Sequence, residues 1–175
     1  TGQIRRVFTY VPDRHAVATE SNALGRVVTN AYNALGLVTN RYDGRTTDRF
    51  SYDVEGRLIA RHRNDDLVVT NRFDVFGRLE WTKTAAGLEV TRTYDGLNRV
   101  TSETYDNFGG VSVQSNRYDC CAIDQTSNRN GRVWNFSYND VGEKMLESNP
   151  EDLTTYFTYG VEGRPLVTSN ALEWT

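Results

Sequence analysis

The feature that most constrains this chain is a short motif that recurs along most of its length. An aromatic residue is followed by Asp or Asn, two variable residues, Gly, often Arg, and then Leu or Val. Full copies stand at Tyr52–Leu58, Phe73–Leu79 and Tyr94–Val100. Shorter ones stand at Tyr32–Gly36, Tyr105–Gly109, Tyr138–Gly142 and Tyr159–Arg164, and a weaker one at Ser21–Val27. The Gly slot is filled by Gly25, Gly36, Gly56, Gly77, Asn98, Gly109, Gly142 and Gly163, at steps near multiples of ten or eleven residues. A fixed period of this kind makes each copy one supersecondary unit that is stabilised by its neighbours.

Every part of the motif has a physical role in a hairpin. The Asp or Asn side chain accepts a hydrogen bond from backbone two residues on and so starts a turn. Gly three residues later fits the left-handed position that follows a type I turn, giving a three-residue hairpin loop with a bulge. Asn98 in that slot supports the assignment, since Asn is the residue that best tolerates left-handed backbone after Gly. The aromatic residue and the later Leu or Val then face each other across the strands. The Arg is expected over a neighbouring aromatic ring or on a nearby carboxylate.

A second set of turns, at Asn64-Asp65-Asp66 and Ala85-Ala86-Gly87, bisects the longer intervals. Between them, Leu88, Val90 and Tyr94 alternate with Glu89, Thr91 and Thr93, which is strand periodicity. No twelve-residue window carries a helical stripe. The chain therefore reads as all-β: tandem antiparallel hairpins of about fourteen strands, a single array over 1–175 with clear repeats across about 21–170.

Composition narrows the class further. Only 38% of the residues are hydrophobic, ten of them Tyr, which is thin for a two-layer core. Net charge is −3, with the basic residues scattered among acidic ones, so nucleic acid is not an expected partner. No apolar run approaches the ~20 residues of a membrane helix, and no direct membrane insertion is expected. A chain starting at Thr1 is expected to be a mature product or a fragment of a larger protein. The only cysteines, Cys120 and Cys121, are adjacent, and two unlinked thiols are expected because a bridge would hold the Cα atoms unusually close.

These copies resemble the YD-repeat, or RHS-repeat, family of bacterial Rhs proteins, toxin-complex C components, wall-associated proteins and teneurins. The resemblance implies a curved or spiralling sheet strip that builds a hollow shell around a toxic domain or part of an adhesive ectodomain. It also implies a secreted or cell-surface location, and carbohydrate or another surface protein as a partner. The family's Asp-Pro self-cleavage motif is absent, since the prolines are Pro12, Pro150 and Pro165. The chain is also shorter than a closed shell of the family requires.

Chemistry-bearing residues are sparse. His15 and His62 have no second ligand at metal-site spacing. The carboxylate pairs Asp65-Asp66 and Glu151-Asp152 fall in turns, where acidic residues belong. No nucleophile elbow, P-loop or dinucleotide fingerprint occurs, so no catalytic activity, cofactor or metal is expected. Trp81, placed on one strand face with Leu79, and Trp134 lie outside the motif, as does Trp174. Burial is the expected role of these rings, and Trp81 and Trp134 are the candidates for sugar contact under the alternative of a carbohydrate-binding or adhesive module. The leading expectation is a non-catalytic scaffold that encloses or presents another domain of a larger protein. Open strand edges at Thr1–Val11 and Leu166–Thr175 are expected to favour edge-to-edge self-association.

Overall fold

The computed structural model describes residues 6–12 and 15–170. Trp174 and the outer parts of the two terminal edges, 1–5 and 171–175, lie outside the described residues. The chain falls into two units, Thr1–Leu88 and Glu89–Thr175. The first contains β1 (Val7–Tyr10), β2 (Val17–Ser21), β3 (Val27–Tyr32), β4 (Val38–Tyr42), β5 (Thr47–Tyr52), β6 (Leu58–Arg63), β7 (Asp66–Phe73) and β8 (Leu79–Thr84). The second contains β9 (Glu89–Tyr94), β10 (Val100–Asn107), β11 (Gly110–Tyr118), β12 (Ile123–Ser127), β13 (Val133–Tyr138), β14 (Lys144–Ser148), β15 (Thr154–Tyr159) and β16 (Pro165–Asn170). Within each unit every strand pairs antiparallel with the next in sequence. The fold is all-β, and no helix forms among the described residues. The hairpin β1–β2 precedes the first motif copy and accounts for the strands beyond the fourteen expected.

Eight turns share one geometry. They begin at Asn22, Asn33, Asp53, Asp74, Asp95, Asn128, Asn139 and Asn149. In the turn of Asp53, Gly56 N–H donates to the Asp53 carbonyl at 3.1 Å and Asp53 N–H to the Arg57 carbonyl at 3.0 Å. Asp53 Oδ1 also accepts from the N–H groups of Glu55 and Arg57, at 3.1 and 2.8 Å. One side-chain oxygen thus satisfies two loop donors, which favours Asp or Asn as the opener, while Thr84 and Gly160 open turns with the same backbone bonds but without that side-chain oxygen. The fourth residue has positive φ: 83° at Gly56, 82° at Gly77 and 64° at Asn98. Gly25, Gly36, Gly142 and Gly163 are left-handed as well.

Gly109 departs from the expected pattern. The β10–β11 hairpin closes over Phe108 and Gly109, with Asn107 opposite Gly110, and the positive φ of 125° is at Gly110. Here Tyr105 and Asp106 still belong to the strand, and Asn107 Oδ1 receives the Gly109 N–H at 2.8 Å. The copy is shifted by one residue, so the loop has two residues instead of three. One further correction concerns an acidic residue, Asp66, whereas Glu151-Asp152 does fall in a turn as expected. Asp66 opens β7, and the turn is Asn64-Asp65, both left-handed. Asp152, with φ of 59°, fills the Gly slot of the turn begun by Asn149.

Little of this fold is buried. Val90, 6% exposed, is the one buried hydrophobic residue among those described. The chain exposes 12484 Å², whereas a compact globule of its mass would expose about 8,700 Å². In β3, β5, β9, β13 and β15 the motif-aromatic face is half-buried while the residues between are exposed. Stability must come from contacts along the sheet.

Glycine slots differ in what surrounds them, and this predicts unequal responses. An added Cβ at Gly36 meets nothing, so Gly36→Ala should destabilise by about 1 kcal/mol from backbone strain alone and Gly36→Asn hardly at all. At Gly77 the same Cβ would lie 3.0 Å from Arg57 Nη1, so Gly77→Ala should cost more and Gly77→Asn should not be neutral. Hydrogen exchange across each hairpin distinguishes these outcomes.

Candidate functional site

The chemistry of the repeat is concentrated where the motif aromatic meets a bulge. In all eight hairpins numbered odd to even, the register slips beside the aromatic residue that ends the first strand: Tyr10 faces Val17, Tyr32 faces Val38, Tyr52 faces Leu58, and Tyr94 faces Val100. A bulge interrupts the ladder and frees a carbonyl. The next hairpin supplies its donor. Tyr32 Oη donates to the Val17 carbonyl at 2.9 Å, Tyr52 Oη to Val38 at 2.8 Å, and Tyr118 Oη to Val100 at 3.0 Å. Asn two residues before the aromatic can do the same: Asn30 Nδ2 reaches Val17 and Asn116 Nδ2 reaches Val100. At Phe73, which has no hydroxyl, Asn71 Nδ2 holds the Leu58 carbonyl at 3.0 Å. The substitution of Phe for Tyr is thereby compensated within the same strand.

The motif arginine ties the same two hairpins together from the other side. Arg57 Nε donates to Asp53 at 2.6 Å while its guanidinium lies 4.6 Å from the Phe73 ring centre. Arg99 donates to Asp95 at 2.7 Å and lies 4.3 Å from the Tyr118 ring. Both roles anticipated for the arginine are thus filled at once. Where the turn opens with Asn, the arginine reaches a later turn: Arg26 pairs with Asp43, and Arg132 pairs with Glu151 at 2.9 Å. Asn139 and Glu143 exchange donor and acceptor, with Nδ2 donating to Oε2 at 2.7 Å.

These bonds lower carboxyl pKa values. Partial burial pushes Asp53 and Asp74 up, but the backbone N–H and guanidinium of Arg57 and Arg78 outweigh it and hold both below the usual range. The Arg99 N–H and guanidinium do so for Asp95. Asp43, which accepts from the N–H groups of Thr46 and Arg45 and from Arg26, is lowered to about 2.

The candidate sugar-contact residues are not presented as an open aromatic platform. Trp81 is half-buried and faces Arg72, whose guanidinium lies 5.5 Å from the ring. The bulge at Leu79 separates the two residues placed together on sequence grounds: Leu79 pairs with Phe73, Trp81 with Arg72, on opposite faces of β7. Trp134 is half-buried and alternates with Phe136 and Tyr138 on the motif face of its own unit. His15 is exposed, His62 faces Arg49 and Leu67, and no three metal-ligating side chains converge among the described residues. Cys120 and Cys121 are exposed and unbridged, and the Cys120 thiol is pushed up to about 12 by its neighbour Cys121 and by Asp119.

One concavity in the first unit was not foreseen from sequence. A groove of about 790 Å³ crosses β2 to β6 on the face that carries Asn30 and Tyr32. Strand register places Glu20 beside Val28, Arg41 beside Asp48, Asp48 beside Arg63, and Phe50 beside Arg61. Only Asn22 and Arg26 of its members belong to a motif copy, and the rest come from variable strand and turn positions, so the repeat does not announce it.

No protein-family profile and no curated protein matches this sequence. Solved structures do match. A chain of the TcdB2–TccC3–Cdc42 crystal structure superposes with a TM-score of 0.76 at 11% identity, covering 97% of this chain and 11% of that one. The Tc holotoxin pore of Photorhabdus luminescens gives 0.69 at 11% identity, covering 83% and 9%. TcdB2–TccC3 without its hypervariable C-terminal region gives 0.64 at 14%, covering 95% and 11%. The likeness is one of fold. This chain spans about a tenth of the length of the chains it matches.

Two outcomes test the interlock. Tyr52→Phe should destabilise by about 1 kcal/mol because it strands the Val38 carbonyl, and Tyr32→Phe by less because Asn30 still serves Val17. Depressed carboxyl pKa values stabilise the fold above the unfolded value of 3.8, and that contribution is lost as pH falls toward about 2. Replacing Asp53, Asp74 and Asp95 together by Asn should flatten the acid-unfolding curve over this interval. A curve of unchanged steepness would remove the carboxylates from that role.

Proposed function

We propose that this chain is a non-catalytic structural scaffold, a stretch of RHS-type wall or stalk in a larger secreted or surface protein that encloses or presents another domain. The observation that carries the proposal is the interlock: the carbonyls of Val17, Val38, Leu58 and Val100 are each completed by a side chain of the next hairpin, and little else is buried among the described residues. Such an array makes a continuous sheet with two solvated faces, suited to a wall and ill suited to a preorganised active site. The fold likeness to chains of toxin complexes supports the same reading.

A carbohydrate-binding role has less support, because the Trp81 ring is already engaged by Arg72. Limited proteolysis of the full-length gene product tests the scaffold. A domain adjoining the array should resist digestion while the array is intact and become sensitive once it is cut. A domain digested at one rate in both states would overturn enclosure.

A further inference from the structure

We propose that the groove across β2–β6 binds an extended peptide bearing carboxylates at alternate residues. The groove contains four arginines, Arg26, Arg41, Arg61 and Arg63, against three carboxylates, Glu20, Asp43 and Asp48. Three of the arginines are already held. Arg26 is on Asp43, while Arg61 and Arg63 share Asp48, with Nη2 and Nε each 3.0 Å from its Oδ1.

Arg41 is different. It is exposed, it stands beside Asp48 in the strand register, and that carboxylate is fully engaged by the other two guanidiniums. It lines the groove and has no ion pair of its own among the described residues. Glu20 is taken by Arg6 from outside the groove, so the Arg41 charge is left without a carboxylate, on a fork that matches one.

The surrounding residues narrow the ligand class. Carboxylates interleave with the arginines, so a dense polyanion such as a nucleic acid or polyphosphate would meet Glu20 and Asp43 with every step. A ligand with sparse charge does not. Four strand spacings of 4.8 Å give a groove about 19 Å long, room for five or six extended residues. Because alternate side chains of an extended peptide point to one side, acidic residues at every second position would meet Arg41 and the outer edges of Arg61 and Arg63 together. Val28 and Phe50 supply an apolar wall beside them.

The test uses the intact chain and a fluorescein-labelled decapeptide of alternating glutamate and serine, titrated by anisotropy at low salt. Saturable binding should weaken about tenfold in Arg41→Gln, the loss expected for one charge-assisted contact. It should be unchanged in Arg72→Gln, which removes the same charge from the opposite face. Arg41→Gln should keep the wild-type melting temperature, since Arg41 has no partner to lose. Absence of saturable binding, equal weakening in both variants, or stronger competition by tripolyphosphate or free glutamate than by unlabelled peptide would each overturn the proposal. The result does not depend on whether the array encloses a domain.

Discussion

Everything in this fold follows from a carbonyl that its own hairpin cannot satisfy. The bulge beside each motif aromatic gives the hairpin its turn and twist but leaves a gap in the ladder. A tyrosine hydroxyl or an asparagine amide from the following hairpin fills the gap, as Tyr52 does for Val38 and Asn71 for Leu58. Since polar groups without partners are costly, the hairpins that carry Val17, Val38, Leu58 and Val100 are each stabilised by having their successor in place. A hydrophobic core would be redundant, and the composition does without one.

The turns show how tightly one oxygen constrains a sequence. Asp and Asn are interchangeable as turn openers because both offer Oδ1 to two loop N–H groups. They are not interchangeable for the arginine four residues on. Asp keeps it, as at Asp53, Asp74 and Asp95. Asn releases it, so Arg26 and Arg132 reach the carboxylate of a later turn. Asn139 with Glu143 inverts the pair and preserves the bond. What is kept is complementarity of donor and acceptor, with residue identity secondary to it.

Much of this was legible in the sequence because the motif is local. The spacing of Gly56, Gly77 and Asn98 fixes turn, hand and strand order together. What local reading missed arises between hairpins or from a shift of frame. Asn107 displaces the turn from Gly109 because an Asn stands one residue past the expected Asp106. The bulge at Leu79 moves Trp81 to the other face, which simple alternation cannot register. The pairing of Asn71 with Leu58 spans thirteen residues, yet it has a signal: Asn stands two before the aromatic in Asn30-Ala31-Tyr32, Asn71-Arg72-Phe73 and Asn116-Arg117-Tyr118. The groove had no such signal, since most of its lining comes from variable positions spread over five strands and their turns.

The carbonyl bond also has a polarity along the chain. The acceptor always comes first and the donor follows thirteen to eighteen residues later. On a ribosome the acceptor therefore emerges before the group that completes it, and each new hairpin locks the one made before. Such an array zips vectorially, from N-terminus to C-terminus, in step with translation. Cutting it at one of these four junctions leaves the upstream piece with its last carbonyl bare and the downstream piece with a hydroxyl or amide to spare, so the two cut ends are complementary to each other.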